Sequence, residues 1–222
     1  KAGAVRRRDI IDMLEKIAED APIVSNRVLE VVRKMYNWAV EREIVESNPC
    51  WRVSRPSREN QRDRVLTPKE ITHLWETLDR NPDTESERDD TGKRLIWISR
   101  PVRLAIKLAL VTGQRRTEVA GAARSEFDLT ERWWTIPAER SKNGKAHRVP
   151  LSVLAHEIVE ELFQLAEDKQ WLLPSPHNKG ANPIDAGAMS RAMVRLRKHM
   201  HSEHFHVHDL RRTAASHMAG LG

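Results

Sequence analysis

The chain has 222 residues, 39% of them hydrophobic, enough for one large domain core or two small ones. Its 38 Lys and Arg against 32 Asp and Glu give a net charge of +6, which favours a polyanionic partner. A single cysteine, Cys50, excludes an internal disulfide framework and fits a reducing cytoplasm or nucleoid, and no apolar run has the length of a membrane span or signal peptide.

Residues 8–18 place Ile10, Met13, Leu14 and Ile17 at helical spacing, which predicts a short amphipathic helix. Over 22–44, Val28, Val31, Val32, Met35 and Ala39 form one apolar stripe, and Asn48-Pro49 stops the run. Residues 1–55 are therefore expected as a small helical module. Between 52 and 64 the chain turns polar and basic, and residues 56–64, with Arg58, Arg62 and Arg64, read as an exposed linker. Thr67-Pro-Lys-Glu70 is a capping box with proline at the first helical position, followed by Ile71, Leu74, Trp75 and Leu78 on one face. A second domain, 65–222, begins there. Residues 80–94 read as a solvated loop, and an apolar helix follows Ser99 through Leu104, Leu108 and Val111 to Thr112-Gly113.

A helix over 115–123 precedes three β-prone stretches at 127–129, 133–136 and 147–151, and Ser141-Lys-Asn-Gly144 joins the last two as a hairpin. Helices resume over 152–169, with Leu154, Ile158, Leu162 and Leu165 inward, and over 187–199, with Met189, Met193, Leu196 and Met200 inward. The expected fold class is mainly α with a small antiparallel β-sheet (α+β), not a doubly wound α/β sheet. The chain opens at Lys1 and closes at Ala219-Gly-Leu-Gly222 directly after a helical pattern, so both ends are expected to be cuts in a longer protein.

Three segments carry the chemistry: Gly113-Gln-Arg-Arg-Thr-Glu118, Arg140-Ser-Lys142 and His208-Asp-Leu-Arg-Arg212. Attack on a phosphodiester puts negative charge on the non-bridging oxygens and then on the leaving oxygen, so catalysis needs positioned cations and a proton donor. Arginine suits the first task because its planar fork grips two oxygens. Arg115 opens a helix just after Gly113, and Glu118 one turn on can orient an arginine or hold the adjacent helix. The same three charges, Arg115, Arg116 and Glu118, also make sense as an exposed ion-pair patch. Lys142, near the hairpin tip, can carry an ammonium to a leaving oxygen. A solvated turn lysine is the plain alternative, and Lys145 competes for the role. His208 and Arg211, three apart, share one helical face and can meet one phosphate, with Leu210 and Ala214 turned inward. Alternating His204, His206 and His208 would share a strand face and leave a metal site as a minor alternative. No tyrosine follows these segments; the only one is Tyr36, on the apolar helix of the first module.

In their order and spacing the three segments resemble the tyrosine recombinase (phage integrase) family, whose catalytic domain uses Arg, Lys, His-x-x-Arg, a later His or Trp and a tyrosine nucleophile. Asn26-Arg27, Asn37-Trp-Ala-Val-Glu-Arg42, Asn48-Pro49, Arg64-Val-Leu-Thr67 and Trp134-Thr-Ile-Pro137 look like the P4-type prophage and genomic-island integrases, so the resemblance covers nearly the whole chain. It implies that residues 1–55 are part of a helical core-binding domain and 65–222 most of a catalytic domain. It also implies that Arg115 and Arg211 grip the scissile phosphate, Lys142 is the general acid, His208 assists proton transfer and Glu118 supports Arg115. Strand exchange in the family passes through a 3′-phosphotyrosyl link and needs no metal or other cofactor.

The implied partners are double-stranded DNA at attachment sites, further recombinase protomers in a synaptic complex, and host DNA-bending and directionality factors, with no membrane. The candidate DNA contacts are Arg27, Lys34, Arg62, Arg64, Arg116, Lys145 and Arg212, whose plain alternative is a solvated charged face. Without a nucleophile, the chain is expected to bind DNA as a monomer and neither cleave nor join it. Two other classes stay open: a type IB topoisomerase, which the segment 26–48 argues against, and a non-catalytic DNA-binding module.

Overall fold

The computed structural model describes residues 2–59, 63–81, 88, 97–200 and 203–221, without the side chains of Asn178, Lys198 and His199. Two compact units divide the chain, Lys1–Arg62 and Asp63–Gly222. Most of the predicted 80–94 loop lies outside the described residues.

In the first unit, α1 (Arg7–Asp20) and α2 (Pro22–Glu41) pack on each other. Pro22 starts α2 where a missing N–H costs nothing. Ile10, Leu14, Leu29, Tyr36, Val45, Cys50 and Val53 form the core. The buried face of α2 differs from the stripe expected from its sequence. Leu29 and Tyr36 are buried with Ser25 and Asn26, whereas Val31 is 69% and Met35 53% exposed. Apolar residues recur on two sides of this helix, and a periodicity count cannot choose between them; α1 covers the Leu29–Tyr36 side. Ser25 is admitted to the core because its hydroxyl donates to Leu14 O at 2.7 Å. Residues 48–59 return along α2: Asn48 donates to Arg33 O at 3.1 Å, Arg33 to Val53 O at 2.6 Å, and Asn26 to Ser57 O at 2.8 Å.

The second unit contains α3 (Pro68–Asp79), α4 (Arg100–Thr112), α5 (Arg116–Ala120), β1 (Phe127–Asp128), β2 (Trp133–Ile136), β3 (His147–Pro150), α6 (Val153–Ala166), α7 (Gly187–Met200) and α8 (Val207–Ala219). The strands form one antiparallel sheet in the order β1-β2-β3, so the mainly α fold with a small antiparallel sheet is observed. Helix α4 is the axle, packed against α3, α5, α6, α7 and α8 and buried continuously from Arg103 to Leu110. Two cations inside this stretch are satisfied locally: Arg103 donates to Leu78 O and Asn81 O, and Lys107 pairs with Asp79 beneath the Trp75 ring. On α7 the expected methionines are buried with Leu196. On α6, Leu154 and Leu165 are 42% and 45% exposed, and Ala155, Val159 and Ala166 take the inward positions beside Ile158 and Leu162. Small residues face the core there because α6 lies directly on α4.

The expected capping box forms: Thr67 Oγ1 accepts from Glu70 N, and Glu70 accepts from Thr67 N at 2.9 Å. Just before it, the backbone of Leu66 is gripped from α8, with its N–H donating to Thr213 Oγ1 at 2.9 Å and its carbonyl meeting His217 Nε2 at 3.1 Å. The start of the second unit is thereby fastened to the helix that carries His208 and Arg211.

Candidate nucleic-acid interface and catalytic cleft

Arg115 is placed by the end of α4. Gly113 closes that helix in the left-handed region at φ 63°, a conformation glycine adopts without a Cβ penalty. The chain then turns through Gln114 into α5, with Arg115 as the residue before its first turn. The carboxylate of Glu118, 3% exposed, accepts from Arg115 N at 2.8 Å and from Arg115 Nη1 at 2.7 Å. Of the two roles open to Glu118, orienting the arginine is the one observed. Helix α5 covers only Arg116–Ala120, shorter than the predicted 115–123, and the backbone N–H of Arg115 is taken by Glu118 instead of facing a ligand.

His208 and Arg211 come from the first turns of α8. His206 precedes this helix, and Asp209 accepts from His206 N at 2.8 Å, repeating the Arg115–Glu118 arrangement. Leu210 and Ala214 are buried as expected, which turns His208 and Arg211 outward. Arg211 Nη1 donates to Gly113 O at 2.6 Å, so the two arginine segments meet. A cleft of about 450 Å³ is lined by Gln114, Arg115, Arg116, Ser190, His206, His208 and Arg211 among others. A second cleft of about 180 Å³ adjoins it through Gln114, Arg115 and Arg211 and reaches Ser141, Asn143, Lys145 and His147 of the hairpin.

Lys142 is exposed and lines neither cleft, whereas Lys145 lines the second. Lys142 stands apart from the end of β2. The strand stops at Ile136, and a turn intervenes in which Arg140 N and Ser141 N both bond Pro137 O at 3.1 Å. The His204–His206–His208 strand does not form either, because His208 lies inside α8; the His204 and His206 rings meet edge to face at 4.5 Å. Among the described residues no three metal-ligating side chains converge.

The remaining cations are dispersed. Arg116 is exposed at the cleft rim and donates to Ser190 Oγ, and Arg212 lies 3.6 Å from Asp209. Arg64 is 16% exposed, bonded to Glu70 and to Val65 O, so it anchors the start of α3. Arg27 is paired with Glu30 and Glu59, at 3.0 and 3.1 Å, and Lys34 is exposed on α2. Arg62 lies outside the described residues. Tyr36 is buried in the first unit, its hydroxyl donating to Ala2 O at 3.2 Å.

Sequence reasoning passed over Gln114, Ser190, His206, Asn143 and His147 as cleft-lining residues. Gln114 is 7% exposed although polar, and its amide donates to Thr112 O at 2.9 Å. Its position between Gly113 and Arg115 was the one signal available; nothing in the sequence links Ser190 to Arg116.

The sequence profile of the phage integrase family matches residues 64–222. The chain belongs to the phage integrase family. The family is that of the tyrosine recombinases, and curated relatives fall within it. Enterobacteria phage P4 integrase is 26% identical over 167 residues, covering 70% of this chain and 35% of the relative. Prophage integrase IntZ of Escherichia coli K12 is 23% identical over 193 residues, covering 86% and 44% respectively. Tyrosine recombinase XerC of Erythrobacter litoralis is 26% identical over 176 residues, covering 78% and 53%. The chain thus spans between about a third and a half of these relatives. The fold is shared with solved integrases: the Tn1549 transposon integrase with a circular intermediate DNA superposes at a TM-score of 0.74, 14% identity, over 99% of this chain and 74% of that one. A lambda integrase tetramer bound to a Holliday junction gives 0.71 at 18% identity, over 96% and 60%. No helix among the described residues is long and apolar enough to cross a membrane.

Proposed function

We propose that this chain is the DNA-gripping part of a site-specific recombinase that integrates or excises a mobile element. The reading rests chiefly on one observation: Arg115, His208 and Arg211, from segments nearly a hundred residues apart, line one cleft next to a lysine-bearing hairpin. Arg115 and Arg211 hold the non-bridging oxygens of the scissile phosphate, where negative charge grows during attack. A tyrosine oxygen attacks phosphorus, the bond to the 5′ oxygen breaks, and Lys142, whose long side chain reaches in from the exposed hairpin outside both clefts, delivers a proton to that oxygen while His208 assists. Lys145, Arg116 and Arg212 hold neighbouring phosphates, and Lys34 and Arg27 contribute from the first unit. The same reading makes residues 1–55 a core-binding module, 56–64 a linker and 65–222 the catalytic domain. Its partners are attachment-site duplexes and further protomers, and its site of action is the cytoplasm.

The one tyrosine in the sequence, Tyr36, is buried in the core of the first unit, which speaks against its acting as the attacking group. On this reading these 222 residues bind duplex DNA without forming a covalent adduct. Fluorescence anisotropy against duplexes should show affinity falling steeply with salt, with a slope of about −0.9 per phosphate neutralised. A nicked suicide substrate should yield no protein–DNA adduct. Salt-independent binding would refute the electrostatic part of the proposal, and a trapped adduct the non-cleaving part.

A further inference from the structure

Arg140 lies in the turn that follows β2, two residues before Lys142, and its side chain is 22% exposed. It does not point into either cleft. Its guanidinium instead spans two elements: Nε and Nη2 fork onto Glu126 at 2.8 and 2.6 Å, and Nη2 also reaches Glu118 O on α5 at 3.2 Å. Glu126 is 8% exposed and is itself fixed by Trp134 Nε1 at 2.9 Å, with Trp134 fully buried and stacked on Phe127. The contact is close-fitting, since a Cβ added to Gly121 at the end of α5 would come within 2.8 Å of Arg140 Nη1. A planar cation at a helix C-terminus, forked onto a buried carboxylate, holds its place far better than a surface ion pair.

The residue it touches on α5 is the one that aims Arg115. Glu118 uses its carboxylate for Arg115 and its carbonyl for Arg140. We infer that Arg140 is a positioning residue, holding the hairpin that carries Lys142 and Lys145 in fixed relation to Arg115. Glu126 is its anchor and Gly121 the space it needs. The β2–β3 ladder holds the hairpin from His147 onward, but between Arg140 and that ladder little else holds it: residues 142–146 are exposed, and within the turn Gly144 N bonds only as far as Ser141 O at 3.0 Å. The consequence for DNA rests on the functional reading above; the mechanical part does not.

Two variants and two readouts test it. Arg140→Gln removes the fork, and Glu126→Gln weakens it from the other side while deleting a negative charge. Hydrogen exchange without DNA should show the amides of Ser141 and Gly144 exchanging about tenfold faster in both variants, relative to the α4 core amides. Unchanged hairpin exchange would overturn the inference. With duplex DNA, both variants should bind about fivefold to tenfold more weakly than the parent. For Glu126→Gln, simple charge counting demands tighter binding, and that result would also overturn it. In a Lys142→Ala/Lys145→Ala background, Arg140→Gln should alter affinity less than twofold; an additive loss would mean that Arg140 meets phosphate itself. If the hairpin loosens but the double lysine variant binds normally, the positioning stands and the role given to the lysines fails.

Discussion

The guanidinium of Arg211 donates from Nη1 to the carbonyl oxygen of Gly113, 2.6 Å away and 98 residues distant in sequence. That bond joins the end of α4 to the first turns of α8 and sets two arginines at one cleft. It depends on Gly113 staying left-handed at φ 63°, with Ala214 Cβ 3.3 Å from where a Cβ would project. Gly113→Ala should lower stability by about 1–2 kcal/mol from backbone strain alone. It should also weaken DNA binding by displacing the carbonyl that holds Arg211. Urea unfolding and anisotropy measure the two effects separately.

Glu118→Ala removes both bonds to Arg115 from a nearly buried position. Stability should fall by about 1–3 kcal/mol. Affinity for duplex DNA should fall as well, although an acidic residue has been removed from a basic cleft. Glu118→Gln keeps an acceptor and should lose less on both counts. Tighter binding by the alanine variant would show that Glu118 acts on DNA only through its charge.

Thr213→Val deletes the hydroxyl that accepts from Leu66 N inside the protein, while keeping the volume. An unsatisfied buried N–H costs about 1–3 kcal/mol, so the urea midpoint should drop by a corresponding amount. Thr213→Ser should recover most of the loss.

The Glu70 carboxyl is held below its ordinary value of 4.5: burial opposes ionisation, but hydrogen bonds from Thr67 and the Arg64 guanidinium outweigh it. The folded value is therefore lower than the unfolded one. The stability this group contributes is complete above about pH 4.5 and is lost as pH falls through the folded value. Glu70→Gln should be less stable than the parent at neutral pH, and the difference should shrink in acid. A constant difference from pH 7 to pH 3 would contradict this account.

Tyr36→Phe tests the proposal that Tyr36 is a core residue and not a nucleophile. It removes the hydroxyl bonded to Ala2 O and nothing else from the core. DNA affinity should be unchanged, as should the absence of a covalent adduct on a nicked substrate.

Much of this molecule is legible in its residues because the signals are local. The Thr67–Glu70 box, the Gly113 stop, the Asn-Gly hairpin and the methionines of α7 each appear where their spacing puts them. The motif residues Arg115, Glu118, His208 and Arg211 were legible in their order, and their convergence is observed. The face of α2 was not legible, because its apolar residues satisfy two orientations and the packing of α1 selects one.

The sequence by itself determined the element types, the cationic character and the family pattern, since these depend on backbone preference, charge and spacing within a few residues. Only the tertiary structure decided which cations are committed to the fold and which face the cleft. Arg103 and Arg140 look like any other basic residues in the chain, yet each is held by carboxylates or carbonyls brought from other segments, while Arg64 is held by Glu70 on the helix that follows it. Arg115 and Arg211 are held just as firmly but with their faces turned to the cleft. The physical reason is that an arginine's availability depends on the acceptors around its guanidinium and on what packs beside it: Glu118 holds Arg115 from three residues on, but the Gly113 carbonyl that holds Arg211 comes from 98 residues away.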